Sequence, residues 1–579
     1  MTEKRWKICP SDETAGRALH DALKIRPVYC NLLVSRGIRT FEAARTFFRP
    51  QAVLLHDPWA MAGMQKAVER ISAALQKQEK ILIYGDYDVD GTTAVALLYA
   101  FLREQFPEAN TAFYVPDRHK EGYGLSCTGI DYAHTHGYAL IVTLDCGVKA
   151  VEQVAYAHTL GLDVIVCDHH LPGEDLPAAY ALLNPKQQGC RYPYKELSGC
   201  GIAFKLISAL AAHHRLRDTA VLAYLDLVAT SIAADLVPLT GENRILATLG
   251  LQKMQTDPSP GIRALMAVSK LTEEVSIRDV AFMIAPRINA AGRLGDARQA
   301  IRLLIATQAE EAALLAEALQ ALNDRRKQLE KAITDAVLDK ISRDPVAVAR
   351  KSTVVYDPAW HKGVIGITAS RIMETYYRPT IVLTGDGESV SGSARSVRGF
   401  NIFSALQQCA PLLERFGGHD FAAGMTLKTG AVAAFAEKFE QIVANSIAPE
   451  LLIPELRIDA ELSFTDISPS FYQLLKQFEP FGPGNRQPVF LLKKVRDNGY
   501  STLIRSRHIR FEIVPTDGSA QSLAGVGFNL AEKFDIVQSG APFDLCFSLE
   551  KNTFRGQSRL QLRVLDLRPT QPHEKEGAN

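Results

Sequence analysis

The sequence predicts an α/β protein: a parallel-sheet domain first, a second, smaller α/β domain joined to it by a long helix, and a small barrel of short strands at the C-terminal side. Three observations predict this. Between Lys80 and Pro185, short continuous apolar runs alternate with helical patterns, as in a parallel sheet covered on both faces. From Thr307 to Ser342 the chain is rich in Ala, Leu, Glu, Lys and Arg and holds no Gly or Pro. From Ile458 onward, short strands separated by turn signals dominate.

Taken in order, residues 1–50 read as a helical lead-in, and 51–306 as the first α/β domain. Its strands are Ile81–Tyr84, Thr111–Val115, Leu140–Leu144 and Asp163–Cys167, with helices over Thr92–Leu102 and Val148–Leu160. Gly199 to Ala234 reads as mainly helical. Residues 307–342 are the connecting helix, with a bundle helix as the rival reading. The second α/β domain, 343–450, has strands at Thr353–Tyr356 and Thr380–Leu383 and helical patterns at Val364–Tyr376 and Ala431–Ile447. Residues 451–570 form the strand-rich domain, with strands at His508–Val514, Phe543–Leu549 and Leu560–Leu567, and 571–579 form a polar, flexible tail.

At 579 residues, 47% apolar and 22% charged, the chain has a globular composition and is too long for one core, so roughly three to four domains are expected. A net charge of +1 means that any polyanion must be met by a local basic patch. The nine cysteines form no Cys-x-x-Cys pair, which argues against a zinc ribbon or a disulfide framework. The start Met1-Thr2-Glu3-Lys4-Arg5-Trp6 predicts no signal peptide, and no run is apolar enough to span a membrane, so a cytoplasmic protein is expected.

The acidic residues fall where strands end. Asp86, Asp88 and Asp90 follow the first strand in Tyr84-Gly85-Asp86-Tyr87-Asp88-Val89-Asp90-Gly91; Asp145 ends a second; Asp168-His169-His170 ends a third. Asp235 closes an apolar helical stretch. Parallel sheets bind ligands outside the carboxyl ends of their strands, so these groups meet at one edge. Gathered carboxylates repel and lose hydration, a penalty that bound cations remove. Oxygen ligands with an imidazole suit manganese or magnesium, and two such ions sharing a bridging carboxylate can activate water and steady a leaving oxygen. Asp145, central in the set, is the candidate bridge. Singly, each group has an ordinary explanation: a strand-end Asp usually caps the next helix, and His169-His170 can be a turn. The Asp-x-Asp-x-Asp-Gly run is not a calcium loop, because Leu97 stands where the closing Glu belongs. Gly91-Thr92-Thr93 opens a helix whose N–H groups could hold an anion, but no Gly-x-x-x-x-Gly-Lys loop is present.

These motifs carry a resemblance. Gly85 to Ala94, Leu144-Asp145-Cys146-Gly147, Asp168-His169-His170 and Thr230 to Asp235 are similar, in order, to the four motifs of the DHH phosphoesterase superfamily. Arg287-Ile288-Asn289-Ala290-Ala291-Gly292-Arg293-Leu294-Gly295 resembles the RecJ single-strand-specific exonucleases more closely. The resemblance implies metal ligands at Asp86, Asp88, Asp145, His169 and Asp235, with Asp90 as a loop-orienting group or a further ligand. It implies that His170 touches metal or the scissile phosphate. Tyr84 and Gly85 stand where many members carry a His, which implies a weaker, exchangeable first metal site.

The second domain resembles the DHH-associated substrate-binding domain through His361 to Gly366, Ser391 to Ser396 and Gly417-Gly418-His419-Asp420 with Gly424. Arg287, Asn289, Arg293, Ser393, Arg395, Gly417, Gly418 and His419 are then the substrate-binding candidates, and a narrow groove between the α/β domains is expected to exclude a duplex. The final strands resemble an oligonucleotide-binding (OB) barrel, in which Phe511, Phe528, Phe547 and Phe554, with Arg510, Lys533, Lys551 and Arg555, are candidates for stacking and phosphate contact. The activity implied is 5′→3′ hydrolysis of single-stranded DNA with two manganese or magnesium ions, in recombination and repair. The partners implied are single-stranded DNA, a single-stranded-DNA-binding protein and a helicase, and the chain is expected to be a monomer. The rivals are another DHH phosphoesterase, such as an oligoribonuclease, a pyrophosphatase or a cyclic-dinucleotide phosphodiesterase, and a non-catalytic DNA-binding scaffold.

Overall fold

Five strands form the first sheet: β1 (Ile81–Gly85), β2 (Thr111–Tyr114), β3 (Leu140–Leu144), β4 (Asp163–Cys167) and β5 (Ala181–Leu183). All pair in parallel in the order β2-β1-β3-β4-β5. The structure is a computed structural model and describes residues 3–118, 120–271, 274–385, 387–517, 522–554 and 557–570. β1 and β3 are buried along their whole lengths, as strands covered on both faces must be. One cover is α1 (Val89–Gln105), followed in the chain by α2 (Gly199–His213) and α3 (Leu225–Asp235); all three pack together in the main core. α1 begins three residues earlier than the sequence pattern predicts, because Asp88 caps it by accepting the Gly91 N–H at 3.0 Å. This unit covers 45–329 and takes in the distant segment Pro480–Arg486, where the Pro483 carbonyl accepts the Leu239 N–H at 2.7 Å.

Further along, α4 (Ala285–Leu294) follows a turn of π-helix at Val280–Ile284, and α5 runs unbroken from Ala309 to Ser342. Its 34 residues span about 51 Å at 1.5 Å each.

The second unit comprises 1–44, 330–479 and 487–579. Its α/β part holds β6 (Thr353–Tyr356), α6 (Ile365–Tyr376), β7 (Thr380–Thr384), β8 (Ser389–Arg395), β9 (Arg415–His419), β10 (Ala422–Lys428) and α7 (Val432–Ser446). The sheet order is β9-β10-β8-β7-β6, with only the β6–β7 pair parallel. The barrel strands are β11 (Ala460–Glu461), β12 (Phe490–Asp497), β13 (Thr502–Ile504), β14 (His508–Pro515), β15 (Leu523–Gly527), β16 (Phe543–Phe554) and β17 (Gln557–Pro569). A β12–β14 pairing closes five of them, β12-β16-β17-β15-β14, into the ring of an OB fold. The lead-in, read as wholly helical, opens instead with a strand, Arg5–Ile8, which pairs in parallel with Glu455–Ile458. A partner strand far along the chain overrides the local signal there.

Candidate active site

The strand order 2-1-3-4-5 reverses between β1 and β3, so a crevice opens at their carboxyl ends. Asp86 follows β1, Asp145 follows β3 and Asp168 follows β4, while Asp235 arrives on the last turn of α3. Asp86, Asp90, Asp145, Asp168 and His169 are buried, at 1–6% exposure. The Asp235 side chain keeps 31% and that of His170 44%.

Each group is held by a distinct device. Asp145 sits in the left-handed region, at φ +60°, which Asp tolerates better than most residues. Its N–H donates to the Cys167 carbonyl at 2.9 Å, and its carbonyl accepts the Tyr123 hydroxyl at 3.0 Å. Asp90 receives three donors: the N–H groups of Gly199 and Cys200, both at 2.7 Å, and the Ser231 hydroxyl at 2.6 Å. It thus ties the N-terminus of α2 and the middle of α3 to α1. Asp168 accepts the N–H groups of Val148 at 2.8 Å and His170 at 3.0 Å, and lies 2.8 Å from His170 Nδ1. The Nδ1 proton is thereby directed at Asp168, which makes Nε2 the ring nitrogen available to a ligand.

His169 Nε2 is the meeting point. It lies 3.1 Å from Asp145 Oδ1, 3.6 Å from Asp90 Oδ2 and 3.6 Å from Asp235 Oδ2. Asp145 Oδ1, Asp86 Oδ1 and both His169 ring nitrogens are buried without a hydrogen bond. Unsatisfied buried ligand atoms are costly, and a divalent cation would satisfy them. Among the described residues, two groups are geometrically able to hold an ion: Asp145 with His169 and His170, and Asp90 with His169 and Asp235.

Burial, and then the charge of Asp88 beside Asp86 and of Asp90 beside Asp145, pushes the carboxyls of Asp86 and Asp145 well above the usual range. Burial and the charge of Asp90 also raise Asp88. Burial, with Asp90 and Asp88, pushes Asp235 up to about 8. Burial pulls the His169 imidazolium down. Burial pulls on His170 too, but its hydrogen bond to Asp168 and that carboxylate's charge outweigh it, so His170 rises. Asp168, pushed up by burial, ends below its ordinary value because His170 and two backbone N–H groups donate to it.

The other predicted residues are spread over both units. Tyr84 turns into the core, stacks on Tyr114 and donates to the Gly124 carbonyl at 2.9 Å, while a Cβ on Gly85 would lie 2.2 Å from Val95; neither supplies a ligand. Arg287 is 7% exposed, its guanidinium taken by Gln320 and by the Met283 and Val268 carbonyls, so it braces α4 rather than reaching outward. Asn289 and Arg293 are partly exposed on α4, and a Cβ on Gly292 would lie 2.5 Å from the Tyr87 carbonyl, so α4 packs on the Asp86–Asp88 loop. In the second unit, β-ladder register aligns Arg395 with Ala422 and His419, and Ser393 with Gly424 and Gly417. Gly418, at φ +149°, has backbone atoms within 2.5 Å of a Cβ position. In the barrel, Phe511 and Phe547 are core, Lys533 pairs with Asp566 at 2.6 Å, and Phe528 is 52% exposed. Arg555, the Phe554 side chain and the 571–579 tail lie outside the described residues.

Four supports escaped the sequence reading: Tyr123, Arg118, Ser198 and Gly199. Tyr123 bridges the Asp145 carbonyl and His170 Nδ1, the latter at 3.3 Å; its flanking glycines at φ +87° and +84° were the available signal. Arg118 stacks on Tyr87, 4.8 Å from the ring centre. Ser198 caps α2, and its hydroxyl lies 2.6 Å from that of Ser231. Gly199 is required by contact, since a Cβ there would lie 2.7 Å from that of Asp145.

Comparison with known proteins finds models of the DHH family N-terminal domain over residues 80–232, the DHHA1 domain over 345–445 and the RecJ OB domain over 458–566. The single-stranded-DNA-specific exonuclease RecJ of Bacillus subtilis is 37% identical over 98% of this chain and 71% of its own length. That of Escherichia coli is 35% identical over 96% and 98%. The crystal structure of RecJ from Thermus thermophilus in complex with Mn2+ superposes with a TM-score of 0.82 at 30% identity, over 99% of this chain and 80% of that one.

Proposed function

Because the chain belongs to the RecJ family of single-stranded-DNA-specific exonucleases, we propose that it hydrolyses the phosphodiester bonds of single-stranded DNA from the 5′ end with two divalent cations, manganese or magnesium, in DNA recombination and repair. The observation that carries this is the set of buried, unsatisfied atoms on Asp86, Asp145 and His169 at the crevice between β1 and β3. Asp86, Asp88, Asp145, His169 and Asp235 would hold the ions, with Asp145 shared between them. Bound there, the cations supply a nucleophilic water and neutralise charge on the phosphate.

The protein's own groups set the geometry. Asp168 fixes the His170 ring and, by its hydrogen bond and charge, favours the imidazolium, whose Nε2–H donates to a phosphate oxygen as charge builds up. Tyr123, whose phenol is pushed up by burial and by the charge of Asp145, stays a neutral donor to the Asp145 carbonyl. Asp90, with its oxygens already engaged, keeps α1, α2 and α3 in register under the ligands. Ser393, Arg395 and His419, beside Gly417 and Gly418, bind the terminal phosphate, and Asn289 and Arg293 are further candidates for phosphate contact. On the same reading a helicase opens the duplex, a single-stranded-DNA-binding protein presents the strand, and the enzyme works as a monomer in the cytoplasm, where its nine free cysteines stay reduced.

The test is digestion of end-labelled single- and double-stranded DNA and of a dinucleotide, with manganese, magnesium or chelator. Release of mononucleotides from the 5′ end of the single strand, with metal only, is expected. Activity that survives chelation, or that is confined to the dinucleotide, overturns the reading.

A further inference from the structure

Two glycines on the edge strand of the second sheet and its neighbour have no reason among the described residues. Gly417 on β9 and Gly424 on β10 pair directly with each other. Among the described residues, a Cβ on Gly417 would meet nothing within 4 Å, and one on Gly424 only the Gly392 carbonyl oxygen at 4.0 Å. Neither has a positive φ. Glycine weakens a strand, so two of them facing open space imply that something outside the chain comes close there.

The register shows what surrounds them. Paired residues on neighbouring strands share a face. One rung is Arg395–Ala422–His419, the next is Ser393–Gly424–Gly417, and the third is Ser391–Thr426–Arg415. Successive rungs are two residues apart, roughly 7 Å. The opposite face is apolar: Val390, Ala394, Ala423, Met425 and Leu427 are buried in one core with Phe435 and Phe439 of α7. On the open face the three rungs carry two arginines, a histidine, three hydroxyls and small residues, with no carboxylate and no bulky apolar side chain. The N-terminus of α6 closes one side, where a Cβ on Gly366 would lie 3.0 Å from Ser393 Oγ and 3.1 Å from Arg395 Nη2. β9 and β10 remain uncovered, with Arg415, Gly417, Gly424 and His419 all exposed. His419 Nδ1 accepts the Phe421 N–H at 3.3 Å, which leaves Nε2 as the donor.

We propose that this face is a two-phosphate track: the strand lies across the Gly417–Gly424 rung with one phosphate on Arg395 and His419 and another, beyond the glycines, on Arg415, Thr426 and Ser391. A polyanion suits the charge of the face, and flat glycines suit close approach of a sugar-phosphate backbone. The second anchor extends the substrate site of the proposed nuclease and rests on that reading for the identity of the strand.

The full-length protein is tested with a 5′-phosphorylated single-stranded oligonucleotide, by manganese-dependent digestion and separately by fluorescence anisotropy in chelator. Arg415→Ala is expected to raise KM and the chelator Kd about tenfold, and to lower the slope of log K against log salt by about one unit. The loss falls on KM rather than on kcat, and Arg415→Lys restores the slope. Gly424→Val, which has room for its side chain and needs no strained φ, is expected to raise Kd with an unchanged Tm. Unchanged Kd and salt slope in both Arg415→Ala and Gly424→Val overturn the track. Failure of the wild type to digest the strand overturns the nuclease reading instead, and the anisotropy comparison still decides the track.

Discussion

His169 Nε2 and Asp145 Oδ1 face each other at 3.1 Å across the mouth of the crevice, both buried and neither completing a hydrogen bond. A divalent cation held between them would satisfy both atoms. Asp145→Asn is therefore expected to lower kcat by on the order of 10²-fold or more, and His169→Ala likewise, with single-strand binding retained. Steady-state digestion and anisotropy check this; activity surviving both changes sinks the assignment.

Asp86, Asp145 and Asp235 have folded-state pKa values above the unfolded carboxylate value of 3.8, up to about 8 for Asp235. The folded, metal-free protein thus holds protons that the unfolded chain has released. Its stability from this source is full below about pH 4 and drains away as the pH rises towards 8. Tm of the chelated protein should fall from pH 5 to pH 8, and manganese should restore it, more at pH 8 than at pH 5. A chelated Tm that rises across that window contradicts the cluster's protonation.

Asp90→Asn separates anchoring from metal binding. The amide cannot accept all three donors from Gly199, Cys200 and Ser231, so stability should fall by about 2–4 kcal/mol in urea unfolding. A variant as stable as wild type but deficient in metal would make Asp90 a ligand first.

Gly199→Ala places a methyl group 2.7 Å from the Asp145 Cβ and 2.8 Å from its Oδ1. Displacement of that carboxylate should weaken manganese binding by roughly 10–100-fold. Calorimetric titration of manganese checks it, with wild-type affinity as the contrary result.

Tyr123→Phe removes one hydroxyl that touches both the Asp145 carbonyl and the His170 ring. A fall in kcat of about tenfold is expected with little change in Tm. An unchanged kcat would show that backbone and Asp168 contacts suffice.

The acidic ligand candidates were legible because strand ends are legible: apolar runs in β1, β3 and β4 stop where a charged residue begins. The second sheet's glycines and donors were legible as a motif, but only register shows which of them share a face. Tyr123 and Gly199 were hidden for a different reason. They act through contacts with Asp145 set by tertiary packing, and neither carries a periodic or charge signal of its own. Arg287 misled for the converse reason: a guanidinium in a basic motif looks available in sequence, yet its donors are spent on a glutamine side chain and two carbonyls.

Arg5–Ile8 pairs with Glu455–Ile458, and the Trp6 indole donates to Asp566 at 2.8 Å. Arg5–Ile8 therefore waits for partners made some 450 residues later. Translation proceeds at about 5–20 residues per second, so the nascent N-terminus stays unpaired for tens of seconds. In that interval residues 45–329 emerge whole and can collapse around their own sheet. The order of synthesis thus favours completion of the acidic crevice before Arg5–Ile8 meets its partner strand.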